Sequence, residues 1–186
     1  MSMRRNQEFE LRGIHHLALV CKDMARTVDF YSNVLGMPLV KTVDLPGGSG
    51  QHFFFDVGNG DNLAFFWFPN APQAAPGIAS PKQAVGVGEG WEQNFATAVA
   101  SMNHVAFQVS PDKIDEYAKK LRDRGIQTSI VWAHDDTPEG MRVETTATTF
   151  IRSVYFMDPD GIMLEFASWT RRLHEHDADI RARSGG

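Results

Sequence analysis

The sequence has a single cysteine, Cys21, no cluster of basic residues and no apolar run of membrane-spanning length. One thiol rules out an intramolecular disulfide framework and a thiolate zinc site, and points to a reducing compartment, taken here as the cytoplasm. A formal net charge of -5 without a basic patch argues against nucleic acid as the main partner. With no stretch of about 20 apolar residues, no membrane span is expected. The opening MSMRRNQEFELR is too charged to read as a secretory signal. What is present is 42% hydrophobic residues in a chain of 186. That is enough for one good core, or for two small modules sharing one, and it suits a small-molecule ligand.

The apolar pattern places a buried strand over Gly13 to Cys21, then a helix capped by Asp23 with Met24, Val28, Tyr31 and Leu35 at helical spacing and Gly36 at its end. Strand-like runs follow at Leu39 to Leu45, Gln51 to Val57 and Leu63 to Phe68, separated by glycine-rich turns. From Pro69 to about Ala100 the composition shifts to Pro, Ala, Gly and Gln, a linker long enough to serve as a lid. The pattern then restarts. Met102 to Val109 reads as a strand, and Ser110-Pro111 opens a helix whose buried stripe is Ile114, Tyr117, Ala118 and Leu121. Ile126 to Trp132, Thr148 to Met157 and Ile162 to Ser168 supply three more strands. The expected organisation is an extension over 1–12, a first module over 13–68, a linker or lid over 69–100, a second module over 101–168, and a helix or tail over 169–186.

The stretch Ser153 to Phe166 is the most informative. Asp158-Pro159-Asp160-Gly161 between two apolar runs predicts a hairpin, with Gly161 supplying positive φ. Pairing Asp158 with Ile162 sets Tyr155 opposite Glu165, so Tyr155, Met157, Met163 and Glu165 share one face and Val154, Phe156, Ile162, Leu164 and Phe166 the other. A carboxylate on an inward face needs a partner, a proton or a metal.

His16-Leu17-Ala18-Leu19 matches His104-Val105-Ala106-Phe107, and each histidine is followed about twenty residues later by a helix-ending glycine, Gly36 or Gly125. His16 and His104 each share a strand face with an alanine, which leaves room for a cavity. With Glu165 from the last strand they form a two-histidine, one-carboxylate set suited to Fe(II), with Mn(II), Zn(II) or Ni(II) also admissible. Alternation turns some of the Phe53–Phe55 and Phe65–Phe68 rings toward this cavity. Phe65 and Trp67, with Met157 and Met163, are expected to line it and to favour an aromatic substrate. His134, beside Asp135 and Asp136, reads as an exposed loop histidine, and His52 opens a strand.

The repeat, with IHHLALVCKDMARTVDFYSNVLGM at its start, resembles the vicinal oxygen chelate superfamily, which includes glyoxalase I, type I extradiol dioxygenases, fosfomycin-resistance enzymes and metal-free drug-binding proteins. The resemblance covers about residues 12 to 168. It implies an α+β fold of two pseudo-symmetric βαβββ modules forming a curved mixed sheet around a metal-binding cleft, with His16, His104 and Glu165 at ligand positions. Tyr155, Asp158, Pro159, Gly161 and Glu165 fit the spacing of the extradiol ring-cleaving signature, in which the tyrosine hydrogen-bonds the bound catecholate. The signature's upstream histidine would fall near Thr146, where ETTATTF has none, and Leu63 to Phe68 lacks the supporting histidine expected in the first module. The fourth ligand of glyoxalase I would fall on Ala64 or Phe65, neither of which binds metal or a proton. The leading expectation is an Fe(II) enzyme that cleaves a catechol-like ring with O2 and uses Tyr155 in catalysis. The alternatives are a non-redox lyase, isomerase or thiol transferase, and a binding protein without chemistry. A homodimer is compatible with each.

Overall fold

The computed structural model describes residues 12–72, 99 and 101–178. The expected 1–12 extension and 69–100 linker fall almost wholly outside that range. In the first module β1 (His16–Cys21) leads to α1 (Met24–Val28), which continues as a π-helical turn over Asp29–Val34; β2 (Leu39–Asp44), β3 (Gln51–Gly58) and β4 (Asp61–Trp67) follow. The second module repeats the plan with β5 (Val105–Gln108), α2 (Ile114–Asp123), β6 (Trp132–Asp135), β7 (Met141–Arg142), β8 (Thr149–Met157) and β9 (Met163–Trp169). The four-stranded sheet has the order β1-β4-β3-β2 and the five-stranded sheet β5-β9-β8-β6-β7. This is the α+β architecture of two βαβββ modules. Among the described residues no helix is long and apolar enough to cross a membrane.

Local chemistry accounts for the boundaries. The Asp23 carboxylate accepts a hydrogen bond from the Arg26 N–H at 3.0 Å and caps α1. Gly36 and Gly125 adopt φ of 78° and 80° at the ends of the two helical segments. The hairpin has the predicted register, Tyr155 opposite Glu165 and Phe156 opposite Leu164. The Asp158 N–H donates to Ile162 O at 2.9 Å, and Gly161 has φ 86°.

One strand lies later than its hydrophobicity predicts. Ile126 to Trp132 was the expected strand, yet only Thr128 forms an isolated bridge there, to Phe156, and continuous pairing begins at Trp132. The Thr128 and Ser129 hydroxyls donate to the carbonyls of Ser129 and Ile130, and such local bonds compete with a ladder. The displacement puts His134 inside β6 instead of in a loop.

Both modules share one core. Cys21, Phe55, Leu63 and Phe65 of the first sheet and Phe156, Ile162 and Leu164 of the second hairpin meet Tyr31 and Leu121 in a single buried cluster. These are the faces opposite His16 and opposite Glu165. The modules therefore pack through their helix-bearing sides; the His16 face and the Glu165 face both point away from this core, the latter with Glu165 itself buried. Two backbone-linked contacts cross the seam: the Lys22 N–H donates to Asp160 Oδ2 at 2.9 Å, and the Arg124 guanidinium donates to the carbonyl of Val34.

Candidate metal centre

On the outer face of the second sheet His104 Nε2 lies 2.9 Å from Glu165 Oε2. The approach follows from the sheet. β5 runs parallel to β9 with Ala106 opposite Glu165, which brings the residue just before β5 alongside the carboxylate. His104 Nδ1 lies 2.6 Å from Asn103 Oδ1, an acceptor that holds the proton on Nδ1. Nε2 then faces Glu165. Burial raises the Glu165 carboxyl, but hydrogen bonds from His104 and Ser153 outweigh it and hold the group below its usual range, so it is ionised at neutral pH. A ring nitrogen this close to a carboxylate oxygen has a proton or a cation between the two. Two ligand atoms at right angles about a cation roughly 2.1 Å from each would be about 3 Å apart, so the observed spacing fits a divalent ion.

Tyr155, Met157 and Met163 share this face, and Trp132 packs with them in one small apolar cluster. The Tyr155 ring meets the His104 ring edge-on at a centroid distance of 5.9 Å. Burial and then the negative charge of Glu165 push the Tyr155 phenol up, so it stays protonated and able to donate. No Lys or Arg lies among the strand residues that share this face, since Arg142 pairs with Asp135 and Arg152 with Asp115.

His134 also belongs here, which its sequence neighbours concealed. Its Nε2 lies 2.8 Å from Ser153 Oγ and 3.2 Å from the Tyr155 hydroxyl. Burial lowers its pKa, so the ring is neutral at pH 7. The signal available in the sequence was the alternation Trp132, His134 against buried Ala133 and Asp135, had the strand been placed one turn later.

His16 is elsewhere. It lies on β1 with its Nδ1 2.8 Å from His15 Nδ1 and its ring against His52 and Phe54. Among the described residues no three His, Cys, Asp or Glu side chains converge on a metal position. The cause is the shared core, which sends His16 and Glu165 outward from opposite sheets. The same parity corrects two expected cavity residues. Phe65 pairs with Leu19 and Trp67 with Cys21, on the side away from His16. Phe65 is fully buried against Tyr31 at 4.9 Å. Ala64, opposite Ala18, occupies in the first sheet the place Glu165 takes opposite Ala106 in the second. That place carries no ligand.

Comparison with known proteins agrees with this architecture. The chain is 23% identical over 181 residues to the fosfomycin resistance protein FosX of Listeria monocytogenes, covering 89% of this chain and 99% of that protein. A shorter match, 36% identical over 69 residues, is to MhqE of Bacillus subtilis, which carries the name of a ring-cleaving dioxygenase; it spans 35% of this chain and 23% of that one. The crystal structure of a glyoxalase family protein from Enterococcus faecalis superposes with a TM-score of 0.56 at 22% identity, covering 84% of this chain and 97% of the other. Residues 13–166 match the Glyoxalase/Bleomycin resistance protein/Dioxygenase superfamily, and with its two βαβββ modules the chain belongs to that superfamily.

Proposed function

We propose that this protein is a metal-dependent enzyme that binds a small aromatic substrate through adjacent oxygens, and that its reaction is extradiol-type ring cleavage. The observation that carries the reading is the His104–Glu165 pair, an Asn103-oriented imidazole and an ionised carboxylate 2.9 Å apart on a sheet face where none of the described strand residues is Lys or Arg. A divalent cation bound there would supply Lewis acidity toward two neighbouring ligand oxygens and, as Fe(II), the one-electron chemistry that O2 requires. Tyr155 stands beside the pair as a protonated phenol and donates to a ligand oxygen. Trp132, Met157 and Met163 exclude water and present an apolar wall to a ring.

The third ligand, His16, comes from a second copy of the chain. Its face is uncovered in the single copy, where Val20 is 43% exposed and Val40 53% exposed. An exchange in which this face meets the partly exposed His104 of a partner, beside its buried Glu165, and the reverse, satisfies a two-fold dimer with two sites. The match to MhqE favours ring cleavage over thiol or water addition to a phosphonate-bearing substrate.

Metal analysis of the purified protein, then oxygen-electrode assays with catechols after anaerobic Fe(II) loading, tests the reading. Uptake of one metal per chain and O2 consumption with a yellow ring-opened product are expected. Activity with redox-inert Mn(II) or Zn(II) and no O2 uptake would move the protein to the non-redox branch, and absence of metal uptake would leave a binding protein.

A further inference from the structure

Where the π-helical turn of the first module ends against α2, the seam leaves a cavity of about 260 Å³. Its walls are Leu35 from the first module and Val109 and Phe166 from the second, all half-buried. Phe166 meets Phe107, Tyr117 and Phe156 edge-on at centroid distances of 6.4, 6.2 and 4.9 Å. Rings interlocked in this way hold the wall in place, so the cavity is preformed, as small-molecule sites usually are. It lies on the other side of β9 from the metal pair, because Phe166 and Glu165 are consecutive strand residues and point to opposite faces.

The mouth of the cavity is basic. Tyr117, Lys120 and Arg124 follow one another at helical spacing and line one side of it. The Arg124 guanidinium donates to the Val34 carbonyl, which fixes a positive charge at the rim. Other cations of this helix are engaged: Lys113 pairs with Glu116, Lys119 with Asp123, and Arg122 donates to the Thr128 hydroxyl. Lys120 has no such partner among the described residues, and none of the described residues lining the cavity is Asp or Glu. Two helical segments end here, each carrying about half a negative charge. Two full positive charges outweigh them.

We propose that this cavity is a second binding site, which takes a benzoate-sized aromatic carboxylate. The ring lies among Leu35, Val109 and Phe166, and the carboxylate accepts from Lys120 and from the N–H groups of Arg124 that the Val34 carbonyl leaves over. Size sets the class. An apolar cavity of about 150 Å³ holds benzene, so the larger space here admits one ring with its carboxylate. A neutral ring of the same shape matches the walls but not the rim. The site is separate from the metal centre and does not depend on the function proposed for it.

Backbone amide shifts of metal-free native protein, titrated with benzoate and with benzamide, test the assignment. Benzoate should saturate with a Kd of about 1 mM, moving the amides of Leu35, Val109, Tyr117 and Phe166 and leaving those of His104 and Trp132 in place. Benzamide, the same shape without the charge, should bind about threefold or more weakly. Lys120→Gln, an exposed change that leaves the core intact, should weaken benzoate by about threefold and leave benzamide unaltered. Val109→Trp, which fills the cavity, should remove both. No saturation by about 20 mM, equal affinity for the acid and the amide, native benzoate affinity in either variant, or shifts confined to the His104 face would overturn the proposal. Failure of the protein to bind metal would leave it standing.

Discussion

The Tyr31 hydroxyl, from the first module, donates to Asp158 Oδ2 at 3.2 Å in the turn that joins the strands of Tyr155 and Glu165. Asp158 Oδ1 accepts the N–H groups of Asp160 and Ile162 at 2.9 and 2.8 Å. Burial pushes the Asp158 carboxyl up from 3.8 to about 6 against the pull of those bonds, with Asp160 adding like charge. Cys21, also raised by burial and by Asp160 and Asp158, faces the same corner.

Because the folded carboxyl holds its proton more tightly than the unfolded one, its contribution to stability is complete below about pH 4 and is lost as pH rises through about 6. Asp158→Asn keeps the acceptor and removes the titration. Denaturant unfolding between pH 4 and 7.5 should show the native protein losing on the order of 2–3 kcal/mol relative to the variant. A constant difference across that range would refute the assignment.

The two-copy site makes a sharper prediction. His16→Ala and Glu165→Gln should each abolish tight metal binding, by about 100-fold or more. When the two variants are unfolded together and refolded, about half the dimers carry one of each, and each of those regains one intact site of its two. Roughly a quarter of native metal capacity should return. No recovery, or a monomer in sedimentation, would exclude a shared site.

Tyr155→Phe tests the phenol separately from the metal. With a catechol substrate kcat should fall about 10- to 100-fold, while Fe(II) content stays near native, since the ring that packs on Met163 is kept. Equal loss of metal and rate would assign the hydroxyl to ligand support alone.

Phe65 distinguishes core from cavity. Phe65→Ala should destabilise by about 3–5 kcal/mol. Phe65→Leu, a milder change, should leave KM for any substrate unaltered, because the ring lies among Tyr31 and Phe55 on the helix side. Met163→Ala should do the reverse, with the larger effect on KM.

Much of the fold was legible because its determinants are local. Strand alternation and a three-residue turn define the Tyr155–Glu165 register, and the repeated His-x-Ala pattern with a following helix and glycine marks two copies of one unit. Positions governed by competing local bonds were less accessible: the Thr128 and Ser129 hydroxyls moved the start of β6, and with it the address of His134.

Sequence alone determined which residue types stand on which face of each strand, since the period of two is built into the backbone. It also settled that a histidine opens each module and a glutamate sits in the last strand. Only the tertiary structure decided which faces meet. Burying Phe55, Phe65, Phe156 and Leu164 in one cluster turns the two helix-bearing sides inward. The parallel pairing of β5 with β9 brings His104 against Glu165, and the shared core separates His16 from both, because no strand can direct the same side chain into that core and onto the opposite face.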